Sequence, residues 1–85
     1  MIEMKKGMVV KSLAGHDKTQ LFVILDVDDE YVYLADGKLR TVDKPKRKKR
    51  KHVQQTNYID EEISQSERME DSSIRKLLKS IVAGM

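Results

Sequence analysis

Residues 21–37 read LFVILDVDDEYVYLADG, and this stretch decides the fold class. Its first seven residues are apolar except for Asp26, which is typical of a strand buried on both faces. After a polar turn, residues 31–35 alternate between two faces, as a second strand does. The Asp36-Gly37 pair favours a type I′ hairpin turn, because Asp and Gly tolerate the positive φ that this turn requires. An antiparallel sheet is therefore predicted around this stretch.

More strands are predicted on both sides of it. Residues 8–11 are rich in β-formers and precede a polar turn at residues 13–18. Residues 38–42 are predicted to return antiparallel from the hairpin, and residues 52–58 to supply a fifth strand. Short strands with no helix between them favour a small antiparallel barrel of about five strands, spanning residues 1–58.

The C-terminal third of the chain has a different character. Residues 59–72 are predicted to form an acidic linker, since residues 60–71 carry six acids and one arginine. Residues 73–85 are predicted to form an amphipathic α-helix, because apolar residues recur there at helical spacing. The predicted apolar face consists of Ile74, Leu77, Leu78, Ile81 and Val82. A helix this short is marginal alone, so we expect this face to pack on the chain's own sheet or on a partner protein.

Charge is concentrated in one segment. Lys46 to Lys51 are six consecutive cations, and residues 38–52 hold nine Lys or Arg against one Asp. The flanking segments, residues 1–37 and 53–85, carry net charges of −3 and −2. Such a density of like charge repels itself unless an anion lies against it. We therefore predict that residues 44–52, called the basic strip below, form a loop that binds a phosphate backbone.

Composition excludes several classes of protein. The chain has no cysteine, so it has no disulfide framework, thiolate zinc site or cysteine nucleophile. No histidine, acid or serine falls at the spacing of a metal site or a catalytic triad, and we expect no enzyme activity, cofactor, metal or small-molecule substrate. The longest apolar run has five residues, Leu21 to Leu25. We therefore expect a soluble, cytoplasmic protein that does not insert in membranes.

Two stretches of the chain together resemble a known family. Residues 7–18, GMVVKSLAGHDK, run into a second apolar strand and resemble the KOW motif; the later Ala-Asp-Gly and the proline-plus-cations block extend the match. Together they are similar to the KOW-domain proteins related to the fourteenth large-subunit ribosomal protein of archaea and eukaryotes. The resemblance covers about residues 5–57. Thr19-Gln20 stands where KOW loops commonly carry a further glycine, and His16 where the ribosomal relatives usually have arginine.

The resemblance implies an SH3-like barrel that binds structured RNA, ribosomal RNA in particular, in a ribosomal or ribosome-associated setting. Specificity would then come from fit to an RNA surface, since phosphate contacts position without reading sequence. In the first loop, the expected RNA-binding residues are Lys11, Ser12, Gly15, His16 and Lys18. In and near the basic strip they are Arg40, Lys44, Lys46, Arg47, Lys48, Lys49, Arg50, Lys51 and His52. Tyr31 and Tyr33 share a strand face and either stack on bases or cover the sheet's outer surface.

Two alternatives stay open at this point. One is a protein-interaction module, related to the KOW domains of transcription-elongation factors, which binds ribosomal or transcription proteins through the C-terminal helix. The other is a general nucleic-acid or DNA-binding protein, with the basic strip acting as a nuclear import signal. The first predicts that function survives neutralisation of the strip, and the second predicts comparable affinity for duplex DNA and folded RNA.

Overall fold

The computed structural model describes residues 3–66 and 69–84. It is mainly β, with five strands in one antiparallel sheet and a C-terminal helix, as the sequence predicts. The strands are β1 (Met8–Ser12), β2 (Leu21–Val27), β3 (Tyr31–Ala35), β4 (Lys46–Lys49) and β5 (Val53–Ile59). A 3₁₀ turn (Arg50–His52) joins β4 to β5, and the helices are α1 (Glu61–Gln65) and α2 (Asp71–Ala83).

The strand order in the sheet is β4-β3-β2-β1-β5. The first four strands form a meander, and β5 returns to pair antiparallel with β1. Across the described residues β4 and β5 are the two edges and do not pair with each other, so the sheet is not closed.

The sheet nevertheless curls strongly. In a flat sheet, β4 would lie about 19 Å from β5, because four interstrand spacings separate these two edges. Instead, the three residues Arg50–His52 connect the end of β4 to the start of β5, and a chain of that length reaches only about 14 Å when fully extended. The curled sheet thereby encloses its own apolar core on the inner face.

Each face of the sheet carries an apolar core. Alternate residues of β1 point to opposite sides, so Met8 and Val10 join the inner core while Val9 joins the outer one. The inner core consists of Met8, Val10, Phe22, Ile24, Val32, Leu34 and Val53. The predicted burial of β2 on both faces is confirmed, since Phe22 and Ile24 lie in the inner core and Val23 in the outer one.

The outer core is where the helices cover the sheet. It consists of Val9, Val23, Ala35, Ile63, Ile74 and Ile81. Four of the five predicted α2 residues pack here: Ile74 and Ile81 are buried, and Leu77 and Leu78 lie partly buried against the same core. Val82 is the exception, with 58% of its surface exposed.

The predicted strand at residues 38–42 is wrong. The chain does reverse after β3, with the Asp36 and Gly37 N–H groups donating to the Arg40 carbonyl at 2.9 and 3.0 Å. However, the Asp36 carboxylate accepts from the N–H groups of Lys38 and Arg40, which are the donors that a β-ladder would need. Lys46–Lys49, predicted as part of a loop, instead pairs with β3 as the fourth strand.

The boundaries near the C-terminus also differ in detail. The acidic segment contains α1, in which the Asp60 carboxylate caps the helix by accepting from the Ile63 N–H at 3.0 Å. Helix α2 begins at Asp71, two residues earlier than predicted. The Asp71 carboxylate accepts from the Val42 N–H at 2.8 Å and connects the β3–β4 segment to the helix. Glu70 occupies the cap position without a side-chain capping bond.

Candidate nucleic-acid interface

The basic strip is an edge strand whose side chains divide between two faces. Lys46 and Lys48 pair with Leu34 and Val32, two members of the inner core. Arg47 and Lys49 pair with Tyr33 and Tyr31 on the opposite, solvent-facing side. Since a strand has a side-chain period of two, the six cations cannot act as one uniform surface. A row of lysines also protects an exposed sheet edge from pairing with other chains.

The inward-facing lysines converge on Asp17, in the loop after β1. Lys48 donates to one oxygen of the Asp17 carboxylate at 2.7 Å, and Lys46 forms an ion pair with the other. The Ser12 hydroxyl donates to the Asp17 carboxylate at 2.8 Å, and the Ala14 carbonyl accepts from Lys48 at 2.7 Å. We call Ser12, Asp17, Lys46 and Lys48 the Asp17 cluster. The cluster joins β4 to the first loop and covers one end of the inner core.

The cluster is well shielded from solvent. The side chains of Lys48 and Asp17 are 8% and 10% exposed, whereas that of Lys46 is 26% exposed. Burial of the Asp17 carboxyl raises its pKa, but hydrogen bonds from Lys46, Lys48 and Ser12 lower it by more. The pKa of Asp17 therefore lies well below its ordinary value, and the group is ionised at neutral pH. The single Asp17 carboxylate therefore balances one of the two lysine charges of the cluster, and the other remains as a net charge of +1.

The outward-facing side of β4 presents its cations to solvent. The Arg47 guanidinium lies 4.6 Å from the centre of the Tyr31 ring, which is a cation–π contact. Arg47, Lys49 and Lys51 are exposed, as is Lys44 just before the strand. Within residues 3–66 and 69–84, the two ion pairs that the structure shows both belong to Asp17. None of these four exposed cations therefore forms an ion pair with a described carboxylate.

Asp28 shapes the turn beside this outward face. Its carboxylate accepts from the N–H groups of Tyr31 and Glu30 at 2.8 and 3.0 Å and from the Tyr33 hydroxyl at 3.0 Å. These bonds, led by that from the Tyr31 N–H, lower the pKa of Asp28, and the bond to Asp28 raises the pKa of Tyr33. Arg50 reaches the same turn, donating its N–H to the Glu30 carbonyl at 2.8 Å. The tyrosines are thus held in place on the sheet's outer surface.

The first loop lies against the basic strip, as a two-part RNA surface requires. The Leu13 N–H donates to the His52 carbonyl at 2.9 Å. The Lys48 amine donates to the Ala14 carbonyl, which joins the loop to β4. Gly15, His16 and Lys18 are exposed in this loop. Two segments predicted separately from the sequence, about 30 positions apart, are therefore neighbours in the fold.

Other predicted residues lie elsewhere or face inward. Ser12 is buried in the Asp17 cluster, and Lys48 is 8% exposed. Lys11 lies on the outer face of the sheet, beside α2, and not with the loop residues predicted to share its role. Arg40 is exposed in the connection between β3 and β4.

Sequence reasoning missed Asp17 as the internal partner of two cations in the strip. The available signal was a lone carboxylate in an otherwise basic loop, but its partners lie 29 and 31 positions away.

Among the described residues, no three His, Asp or Glu side chains cluster as metal ligands do. In the part of the chain that the structure describes, neither helix has the length and apolar character to cross a bilayer. No protein-family model matches this chain, and no curated protein shows significant similarity to it.

Proposed function

We propose that this chain is an RNA-binding protein that holds structured RNA, ribosomal RNA first of all, by its phosphate backbone. The observation that carries the proposal is the exposed charge of the basic strip. Arg47 and Lys49 face solvent on the outward side of β4, and Lys44 and Lys51 are exposed beyond its two ends. None of the four forms an ion pair with a described carboxylate, and the neighbouring loop presents exposed His16 and Lys18. Such a surface matches the closely spaced negative charge of a folded nucleic acid.

The fold supports an SH3-like barrel of KOW type as the scaffold for this surface. The inner core takes residues from β1, β2, β3 and β5, so one sheet wraps around a single apolar core. Gly15, in the loop that carries the KOW resemblance, has a φ of +86°, a conformation that favours glycine. The 3₁₀ turn brings the chain from β4, at one edge of the sheet, to β5, at the other.

Recognition on this surface is by shape and charge. Arg47 covers Tyr31, and the Tyr33 hydroxyl is held by Asp28, so both rings have partners within the protein. Phosphate contacts fix position on a nucleic acid and carry no base sequence information themselves. The function is therefore attachment to a folded RNA surface, with neither catalysis nor base-by-base readout.

Charge reversal on the outward side tests the proposal. We expect Arg47→Glu/Lys49→Glu to weaken binding of a labelled ribosomal RNA fragment by about ten-fold or more at low salt, measured by fluorescence anisotropy. The matched control is Lys76→Glu/Lys79→Glu, which makes the same charge change on exposed positions of α2. If both double variants lose the same RNA affinity, net charge alone explains the effect. That result would contradict the assignment of RNA binding to this surface.

Sedimentation identifies the RNA in its cellular setting. Tagged protein is run from lysate on a sucrose gradient at low and high salt, with an RNase-treated control. We expect co-migration with large ribosomal subunits that is lost in Arg47→Glu/Lys49→Glu. Migration at the top of the gradient under both salts would exclude stable ribosome binding. Equal affinity for duplex DNA and folded RNA would instead support a general nucleic-acid-binding protein.

A further inference from the structure

A second cationic surface lies beside α2. It is a groove of about 1020 Å³ between residues 75–82 of α2, the start of β2 and the turn after β3. Lys11, Lys38, Lys76 and Lys79 line it, and all four are exposed. We call it the cationic groove. These lysines come from three separate parts of the chain, two of which are net acidic, so no run of charge in the sequence indicates the groove.

The other charged groups of the groove are used within the protein. The Arg75 guanidinium donates to the Gly37 carbonyl at 2.6 Å. Asp36, the acidic residue in the lining, is buried and accepts from the Gln20 amide at 2.7 Å and from two backbone N–H groups. The Asp36 carboxylate is thus satisfied internally, and the four lysine amines determine the charge that a ligand meets.

The groove has an apolar base. Leu21 and Leu78 line it while packing partly against the outer core, and the exposed Val82 lies at its edge. The aliphatic stems of the surrounding lysines extend this apolar surface while their amines reach solvent. Exposed apolar surface rimmed by charge is typical of a site for a protein partner.

We propose that the cationic groove binds an acidic segment of a partner protein that carries aliphatic anchor residues. Carboxylates on the segment meet the lysine rim, and leucine or isoleucine side chains meet the base formed by Leu21, Leu78 and Val82. A nucleic acid fits this surface less well. No aromatic side chain lies among the described lining residues, so bases have nothing to stack on, and a phosphate backbone would leave the apolar base uncovered. The groove's volume is also at the upper limit of small-molecule pockets, about 300–1,000 Å³.

Selection from a display library tests the proposal without assuming a partner. Short random peptides are selected on the immobilised full chain, and the affinities of the enriched peptides are measured by fluorescence anisotropy. We expect enriched peptides to combine Asp or Glu with Leu or Ile at helical or alternating spacing. Their affinity falls about ten-fold or more in Lys76→Glu/Lys79→Glu, since each reversal replaces an attraction with a repulsion. It falls several-fold in Val82→Ser, which removes an exposed side chain and not a core one.

Matched variants separate this site from the RNA surface. Arg47→Glu/Lys49→Glu is expected to leave peptide affinity unchanged while weakening RNA binding, and Lys76→Glu/Lys79→Glu to do the reverse. Circular dichroism confirms that each variant keeps its fold. Enrichment of peptides without acids, or peptides that bind Lys76→Glu/Lys79→Glu as well as the parent chain, overturns the proposal. If Lys76→Glu/Lys79→Glu weakens RNA binding and not peptide binding, the groove is a second RNA surface.

Discussion

At the scale of single residues, Asp17 is the carboxylate that pairs with two cations of the basic strip. It pairs with both Lys46 and Lys48, balances one of their two charges and so reduces their repulsion on the inward side of β4. Removing one partner of a shielded ion pair leaves a charge without compensation. We expect Asp17→Asn to lower the free energy of unfolding by about 3 kcal/mol at pH 7. Urea denaturation measures this change.

The pH dependence of stability gives an independent check on the same residue. Asp17 has a lower pKa in the folded protein than in the unfolded chain, where an Asp titrates near about 3.9. The contribution of the ionised Asp17 to the free energy of unfolding is therefore fully present above about pH 4. This contribution is lost as the pH falls toward the folded-state pKa of Asp17. Asp17→Asn should remove this part of the acid dependence. Lys48→Met, which keeps the Asp17–Lys46 pair and the aliphatic length of residue 48, should cost less than Asp17→Asn; the opposite order would show that Asp17 is not the centre of the cluster.

At the scale of elements, the docking of α2 depends on the turn after β3. Gly37 has a φ of +78°, and a Cβ at this position would lie 2.5 Å from the Asp71 carbonyl oxygen and 2.7 Å from Cγ of Arg75. An alanine here is therefore strained in its backbone and also pushes the start of α2 away from the sheet. We expect Gly37→Ala to lower the free energy of unfolding by about 3 kcal/mol, with thermal denaturation as the measurement.

Gly15 supplies the matched control for that substitution. Its φ is +86°, but the nearest atom to an added Cβ is 3.7 Å away. Gly15→Ala therefore carries the backbone strain of about 1–2 kcal/mol without the collision. If Gly37→Ala lowers the free energy of unfolding more than Gly15→Ala does, the difference measures the contribution of close helix packing. Equal decreases in the free energy of unfolding would mean that α2 moves away from the sheet at little cost.

The elements also show what a single sequence can reveal. Strands β1, β2 and β3 and helix α2 are predictable because their apolar patterns are local. The fourth strand was misplaced because six like charges suggest a loop, while the Asp36-Gly37 pair suggests a hairpin. In the structure the charges are tolerated in a strand because they alternate between Asp17 on one side and solvent on the other. That tolerance depends on Asp17, which lies 29 positions from Lys46 and 31 from Lys48 in the sequence. Local sequence patterns do not show a partner at such a distance.

At the scale of the whole molecule, positive charge is divided between two surfaces that have no residue in common. The outward side of the basic strip is built from one continuous segment, so the sequence indicates it. The cationic groove is assembled from β1, the turn after β3 and α2, so only the fold reveals it. A modest net charge of +3 is consistent with both, because acids such as Asp17 and Asp36 are used inside the structure.

The salt dependence of RNA binding tests this division within the basic strip itself. Lys48 and Lys49 are adjacent in sequence, yet Lys48 is 8% exposed and bound to Asp17, whereas Lys49 faces solvent. Each lysine that contacts a phosphate adds about 0.7 to the magnitude of the log–log slope of affinity against salt for single strands, or about 0.9 for a duplex. We therefore expect Lys49→Met to reduce the slope by about that amount and Lys48→Met to leave it unchanged. Fluorescence anisotropy over a series of salt concentrations, with each variant's fold checked by circular dichroism, measures both slopes. If the two variants lose the same amount, Lys48 leaves Asp17 when RNA binds, and the strip acts as one continuous charge despite its alternation in the free protein.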